Sequence, residues 1–217
     1  MDERGRYIVI EGSDGTGKTT VADVLAQKLR DGGRTVIRVD EPGSAYRKEN
    51  EPLVPIASEL QRIVKDGTLG RSALTNALLL TASRRENWLQ VSEPALEQGL
   101  DVISARNYWS TLVYQGYGEG LDRGLIDYLT RLSVGPFYMK PSHAVILDLN
   151  DEAERQRRIQ GRGQLEKPDN FESKGDEFQQ KLRLGYRAIA RELGVPVIHV
   201  DNQSPQDIAD HLLGDLF

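Results

Sequence analysis

Tyr7-Ile8-Val9-Ile10-Glu11-Gly12-Ser13-Asp14-Gly15-Thr16-Gly17-Lys18-Thr19-Thr20 is the stretch that decides the fold. It contains Gly12-x-x-x-x-Gly17-Lys18-Thr19, a phosphate-binding loop pattern whose meaning depends on a strand feeding in and a helix leading out. The apolar run Tyr7–Ile10 reads as a buried parallel strand, and Val21, Leu25 and Leu29 recur at helical spacing directly after the loop. Gly12, Gly15 and Gly17 let the backbone turn the amides from Gly12 to Thr20 toward an anion. The positive end of the following helix points to the same place. Lys18 is positioned to reach the outer phosphates of a nucleotide, and the Thr19 hydroxyl to ligate Mg²⁺.

Working outward, the 217 residues fit one α/β domain with a full-sized core. A net charge of −5 argues against a broad nucleic-acid-binding face, which needs a basic surface. With no cysteine there is no disulfide framework and no thiolate metal site. No apolar run approaches a membrane span and the first residues are charged, so a cytoplasmic protein is expected.

Further strands are expected at 35–40, around Val102-Ile103, at 144–148 and at 195–200. Helical patterning is expected over 56–64, over 74–96 with Leu74, Leu78, Leu79, Trp88, Val91 and Leu96 buried, and over 108–115, 121–132, 177–193 and 205–213. Residues 44–55 read as a loop, Gly116, Gly118 and Gly120 as a flexible segment, and 163–176 as a mobile polar loop. Five alternations of strand and helix imply a parallel sheet covered on both faces. Ligands in such sheets bind beyond the C-terminal strand ends, here Glu11–Thr20, Asp40–Gly43, Ser104–Asn107 and Asp148–Asn150.

Asp14 is electrostatically odd inside a phosphate loop; it fits if it touches Mg²⁺, a hydroxyl or an arginine, or if it caps its own turn. Glu41 could meet a sugar hydroxyl or water around Mg²⁺, or simply belong to the turn that ends its strand. Arg106 has the planar fork that suits a phosphate. Arg155, Arg157, Arg158, Arg162 and Lys167 flank the polar loop. Glu152 and Glu154 suit a solvated helix face for Arg155 and Arg158, which leaves Arg162 and Lys167 as the candidate lid cations. Asp148 either supports Mg²⁺ or caps the next helix, where Asp151 is the candidate N-cap. The three histidines have no metal-ligand spacing, and Trp88 and Trp109 read as packing residues.

Taken in order, these motifs resemble the thymidylate kinases of the nucleoside monophosphate kinase family. The matching segments are the glycine-rich loop with its acidic Asp14, Glu41-Pro42-Gly43, Ser83-Arg84 ahead of Pro94-Ala95-Leu96, Arg106 with Ser110-Thr111 and Tyr114-Gln115-Gly116, and the lid-like run Arg162 to Asp169. The resemblance implies a P-loop NTPase fold of three layers, with a five-stranded parallel sheet and helices on both faces. It implies one kinase domain over 1–217, with a lid at about 161–176. It also implies transfer of the ATP γ-phosphoryl group to dTMP with Mg²⁺, small-molecule nucleotide partners and a homodimer built through apolar helix faces.

By the same resemblance, Lys18 and the loop amides hold ATP and Thr19 holds Mg²⁺, with Glu41 nearby. Arg106 and Arg62 meet the acceptor phosphate, Arg84 with Thr111 reads the base, Tyr114 lies under the deoxyribose, and Leu80 and Gln115 complete the substrate side. Departures from the family pattern are Ala105 for the usual Asp, Leu80 for a base-stacking Phe, Asp40 for a basic residue and Lys167 for a lid arginine. They make a different nucleotide or deoxynucleoside acceptor, or a non-catalytic ATP-binding relative, the alternatives.

Overall fold

Tyr7 and Val9 project to one side of a strand and Ile8 and Ile10 to the other, and each pair seeds its own core. In the computed structural model, which describes residues 4–43, 46–48, 51–161, 170–171 and 174–216, that strand is β1 (Tyr7–Gly12), buried along its whole length. It pairs in parallel with β5 (Asp101–Ala105) and β6 (His143–Asp148). The outer strands β2 (Val36–Asp40) and β7 (Val197–His199) complete a five-stranded parallel sheet of order β2-β5-β1-β6-β7. All five expected strands are present.

One face packs on α1 (Lys18–Asp31) and α9 (Pro205–Leu216), through Val21, Leu25, Leu29 and Ile208. The opposite core is built on Trp88, Leu96 and Trp109 from the helical segments at 88–97 and 108–111, on Tyr138 of α6 (Arg123–Tyr138) and on Leu182 and Ile189 of α8 (Asp176–Leu193). Trp88 and Trp109 are thus packing residues. No helix among the described residues is long and apolar enough to cross a membrane.

Several expectations are corrected. The segment 44–55 is not all loop: β3 (Tyr46–Lys48) and β4 (Glu51–Pro52) pair antiparallel, and α2 (Pro55–Lys65) starts at a proline, whose missing N–H costs nothing at a helix start. The helix expected over 74–96 is α3 (Ala73–Asn87), a π-helical turn Trp88–Ser92 and α4 (Glu93–Glu97). Leu74 and Leu78 are 40% and 47% exposed, because α3 buries a polar face carrying Asn76, Ser83, Arg84 and Asn87 instead.

Residues 108–118 form α5 (Tyr108–Thr111) and a second π-helical turn, Leu112–Gly118. Gly118 is packed rather than loose: a Cβ there would come within 2.5 Å of the Phe178 ring. Asp151 caps α7 (Glu152–Gln160) by accepting from the Glu154 N–H at 2.9 Å, whereas Asp148 pairs with Arg187 at 2.9 Å and caps nothing.

Candidate active site

The loop after β1 needs glycine for two physical reasons. Gly12 has φ 141°, and a Cβ there would lie 2.3 Å from the Leu147 carbonyl oxygen; Gly17 has φ 87° at the entrance to α1. No side chain caps the start of α1, so the positive end of that helix is left for an anion. Lys18 is buried, and its Nζ donates to the Ser13 carbonyl at 2.7 Å, so the loop closes around its own ammonium group. The Thr16 hydroxyl donates to the same carbonyl at 2.9 Å.

Arg106 leaves the end of β5 with φ 83°, and its Nη1 donates to the Gly12 carbonyl at 3.3 Å. Its Nη2 pairs with Asp14, which also accepts from the Tyr114 hydroxyl at 2.7 Å. The carboxylate in the loop therefore answers to an arginine and a hydroxyl. Burial works against the charge on Arg106, but Asp14 raises its pKa well above the ordinary guanidinium value, so the cation persists. Burial, reinforced by Asp14, pushes the Tyr114 phenol up as well, and it stays a donor.

A second buried ion pair lies across the cavity. Arg84 Nε donates to Glu41 Oε2 and to the Tyr138 hydroxyl oxygen, both at 3.0 Å, while its Nη2 donates to Thr111 Oγ1 at 2.9 Å. Burial opposes the Arg84 charge, and Tyr138 and Glu41 restore it. Burial raises the Glu41 pKa, and Arg84 pulls against that rise. Glu41 accepts from both Arg84 and Tyr138, which makes it the counter-ion of Arg84. Arg84 Nη1 is buried and has no hydrogen-bond partner among the described residues. Between the two ion pairs lies a cavity of about 360 Å³, whose lining includes Lys18, Thr19, Thr20, Leu80, Arg84, Arg106, Thr111, Tyr114 and Gln115.

The family model described as Thymidylate kinase matches residues 10–211, nearly the whole chain. The chain belongs to the thymidylate kinase family. A thymidylate kinase of Ruegeria pomeroyi is 37% identical over 193 residues, covering 88% of this chain and 84% of the relative. One from Dinoroseobacter shibae is 35% identical over 218 residues, covering 98% of both chains. The crystal structure of thymidylate kinase from Ehrlichia chaffeensis superimposes with a TM-score of 0.75 at 25% identity, covering 99% of this chain and all of the other. Its activity as a member of the thymidylate kinase family is ATP-dependent phosphorylation of dTMP, on a P-loop NTPase fold.

Of the residues expected at the thymidylate kinase site, Arg62 is not brought in. It is 63% exposed and pairs with Glu59 at 3.0 Å, because the inward face of α2 is occupied by Gln61, Val64 and Lys65. Arg162 and Lys167 lie outside the described residues. Arg157 and Arg158 pair with Glu154, as a helix surface would. Arg155 does not follow that expectation: it is buried, forks onto Glu152 at 2.7 and 2.9 Å, and Nη1 donates to the Asp14 carbonyl at 3.3 Å. It buttresses the phosphate loop from outside. Sequence reasoning also passed over Glu11, which is fully buried and accepts from the Asn107 N–H at 2.8 Å, the Ser110 N–H at 3.0 Å and the Ser110 hydroxyl. Glu11 ties the segment after Arg106 to the loop strand. A carboxylate closing an otherwise apolar buried strand was the available signal.

Proposed function

We propose that the 360 Å³ cavity is where the two nucleotides meet, with ATP phosphates on the Gly12–Thr20 loop and dTMP between Arg84 and Arg106. The observation that carries this reading is Arg84 Nη1, buried and without a hydrogen-bond partner among the described residues, in the same cavity as Lys18 and Arg106. A polar atom there is costly unless a ligand satisfies it, and a pyrimidine carbonyl does so. Thr111 holds the guanidinium plane, Leu80 packs on the base, and Tyr114 lies under the sugar.

Arg106, held by Asp14, grips the acceptor phosphate. A dTMP phosphate oxygen then attacks the γ-phosphorus in line, a new P–O bond forms, the bond to the β–γ bridging oxygen breaks, and ADP departs. The attacking oxygen is already anionic, so no side chain need remove a proton. Lys18 and Arg106 offset charge on the transferring group, as do the lid cations Arg162 and Lys167 on closure.

The residues present fit Mg²⁺ as the nucleotide's partner. No group of three or more acidic, histidine or cysteine side chains among the described residues could cage a metal, and Mg²⁺ prefers to keep waters and phosphate ligands. Thr19 would contribute its hydroxyl, and the ion would neutralise phosphate charge. We further read the whole chain as one cytoplasmic kinase domain. In this reading it is a homodimer across α3 and α6, where Leu74, Leu78, Tyr128 and Leu132 stand exposed, the last two at 62% and 69%.

An acceptor panel tests the substrate. ADP release with dTMP should exceed that with other monophosphates and with thymidine. Preference for another acceptor, the outcome that Leu80 in place of an aromatic would favour, would replace dTMP in this reading.

A further inference from the structure

Three carboxylates line the cavity among the described residues: Asp14, Asp40 and Glu41. Asp14 serves Arg106 and Glu41 serves Arg84, which leaves Asp40 without a part in binding the acceptor. Its placement is specific. Asp40 ends β2 in register with Ala105, and Arg38 is in register with Ile103. Ile103 and Ala105 face the core under α1, and in-register residues of adjacent strands share a face, so Arg38 and Asp40 project to the α1 side as well.

There Arg38 Nε pairs with Asp23 of α1 at 2.8 Å, and its Nη2 with Asp40 Oδ1 at 2.8 Å. Asp23 lies four residues after Thr19, on the same helix face. Helix α1 runs back along the sheet, so the step from Asp23 to Thr19 and the step from Arg38 to Asp40 both lead toward the ligand edge. Asp40, held by the Asp23–Arg38 pair, lines the same cavity as Thr19, with only the small Ala105 in register beside it on the strand between. β5 separates β2 from the loop strand, so Asp40 stands about 10 Å from that strand, two strand spacings, within reach of a coordinated water rather than of the ion itself.

We infer that Asp40 is a positioning residue for MgATP: it accepts hydrogen bonds from the water shell of the Mg²⁺ that Thr19 ligates, and Arg38 holds it in place. This rests on the Mg²⁺ reading above. The test titrates nucleotide binding to the intact enzyme with ATP in EDTA and with ATP over a Mg²⁺ series. Mn²⁺ provides a paramagnetic probe of the bound ion's water shell. Asp40→Asn should raise the Mg²⁺ concentration for half-maximal binding about tenfold, the scale of outer-shell changes at metal sites. Metal-free ATP affinity and the dTMP KM should stay within twofold, and Asp40→Glu should recover most of the loss. Ala105→Asp should do little alone but compensate in the Asp40→Asn background. A Mg²⁺ titration unchanged in Asp40→Asn overturns the role of Asp40, as does an equal loss of metal-free ATP affinity. A wild-type enzyme that binds ATP equally with and without divalent cation overturns the Mg²⁺ reading itself, and Asp40's role with it.

Discussion

Replacing Arg84 by lysine separates reading the base from holding the fold. The guanidinium's three nitrogens are placed differently: Nε serves Glu41 and Tyr138, Nη2 serves Thr111, and Nη1 is buried without a partner among the described residues. Lysine keeps a cation beside Glu41 but cannot present the fork. The loss on the substrate side is therefore one charge-assisted hydrogen bond, about 1.5–3 kcal/mol. At 1.4 kcal/mol per decade, kcat/KM for dTMP should fall about 10- to 150-fold. The KM for ATP should move less than twofold, because the phosphate loop is untouched. Thermal melting checks the fold, and Arg84→Met is the contrasting variant: stranding Glu41 in the interior should cost about 3–5 kcal/mol of stability. Steady-state ADP release with dTMP varied is the assay. If folded Arg84→Lys keeps kcat/KM for dTMP within threefold of wild type, or loses ATP and dTMP affinity alike, Nη1 does not read the base.

Lys18→Met should abolish dTDP formation with little effect on melting, which an endpoint assay by chromatography decides. Leu80→Phe should tighten dTMP by supplying an aromatic platform worth about 1–3 kcal/mol, seen as a KM lowered fivefold or more. Asp101, far from the cavity at the start of β5, tests electrostatics separately. Burial would raise its pKa, but Arg34 and Arg6 hold it down, from 3.8 to about 2. That gap is worth about 2 kcal/mol at full strength. Because Arg34 is 41% exposed, screening reduces it to about 1–2 kcal/mol. A carboxylate with a depressed pKa stabilises above its unfolded value, so urea midpoints of wild type and Asp101→Asn should differ at pH 7 and converge as pH falls from about 4 to about 2. A constant difference over that window contradicts the assignment.

Where local chemistry and tertiary demand agree, the chain is readable. β1, its glycine loop and α1 follow from an apolar run, three glycines and helical leucines, and Asp151 caps α7 as its side-chain chemistry dictates. Reading fails where a face is buried for function instead of packing. Leucines normally mark the inward side of a helix, but in α3 the inward side is Asn76, Ser83, Arg84 and Asn87, because the cavity and the ion pair with Glu41 lie beneath it. Leu74 and Leu78 are left outside for the same reason. Periodicity cannot distinguish a solvated arginine from one turned under a loop, as Arg155 is, and one position along a helix is a 100° change of direction, which turns Arg62 toward Glu59. Glu11 escaped because its partners come from residues about a hundred positions away.

The left-handed backbone at Arg106 sets durability against turnover. A residue bearing a side chain gives up about 1–2 kcal/mol to hold that conformation, which glycine and asparagine tolerate more readily. A library randomised at this codon and screened for heat resistance alone should therefore drift toward those two residues only where Asp14, which loses its ion pair with the guanidinium, is replaced as well. Its most robust survivors would be inert as kinases, having shed the guanidinium that the turn exists to deliver.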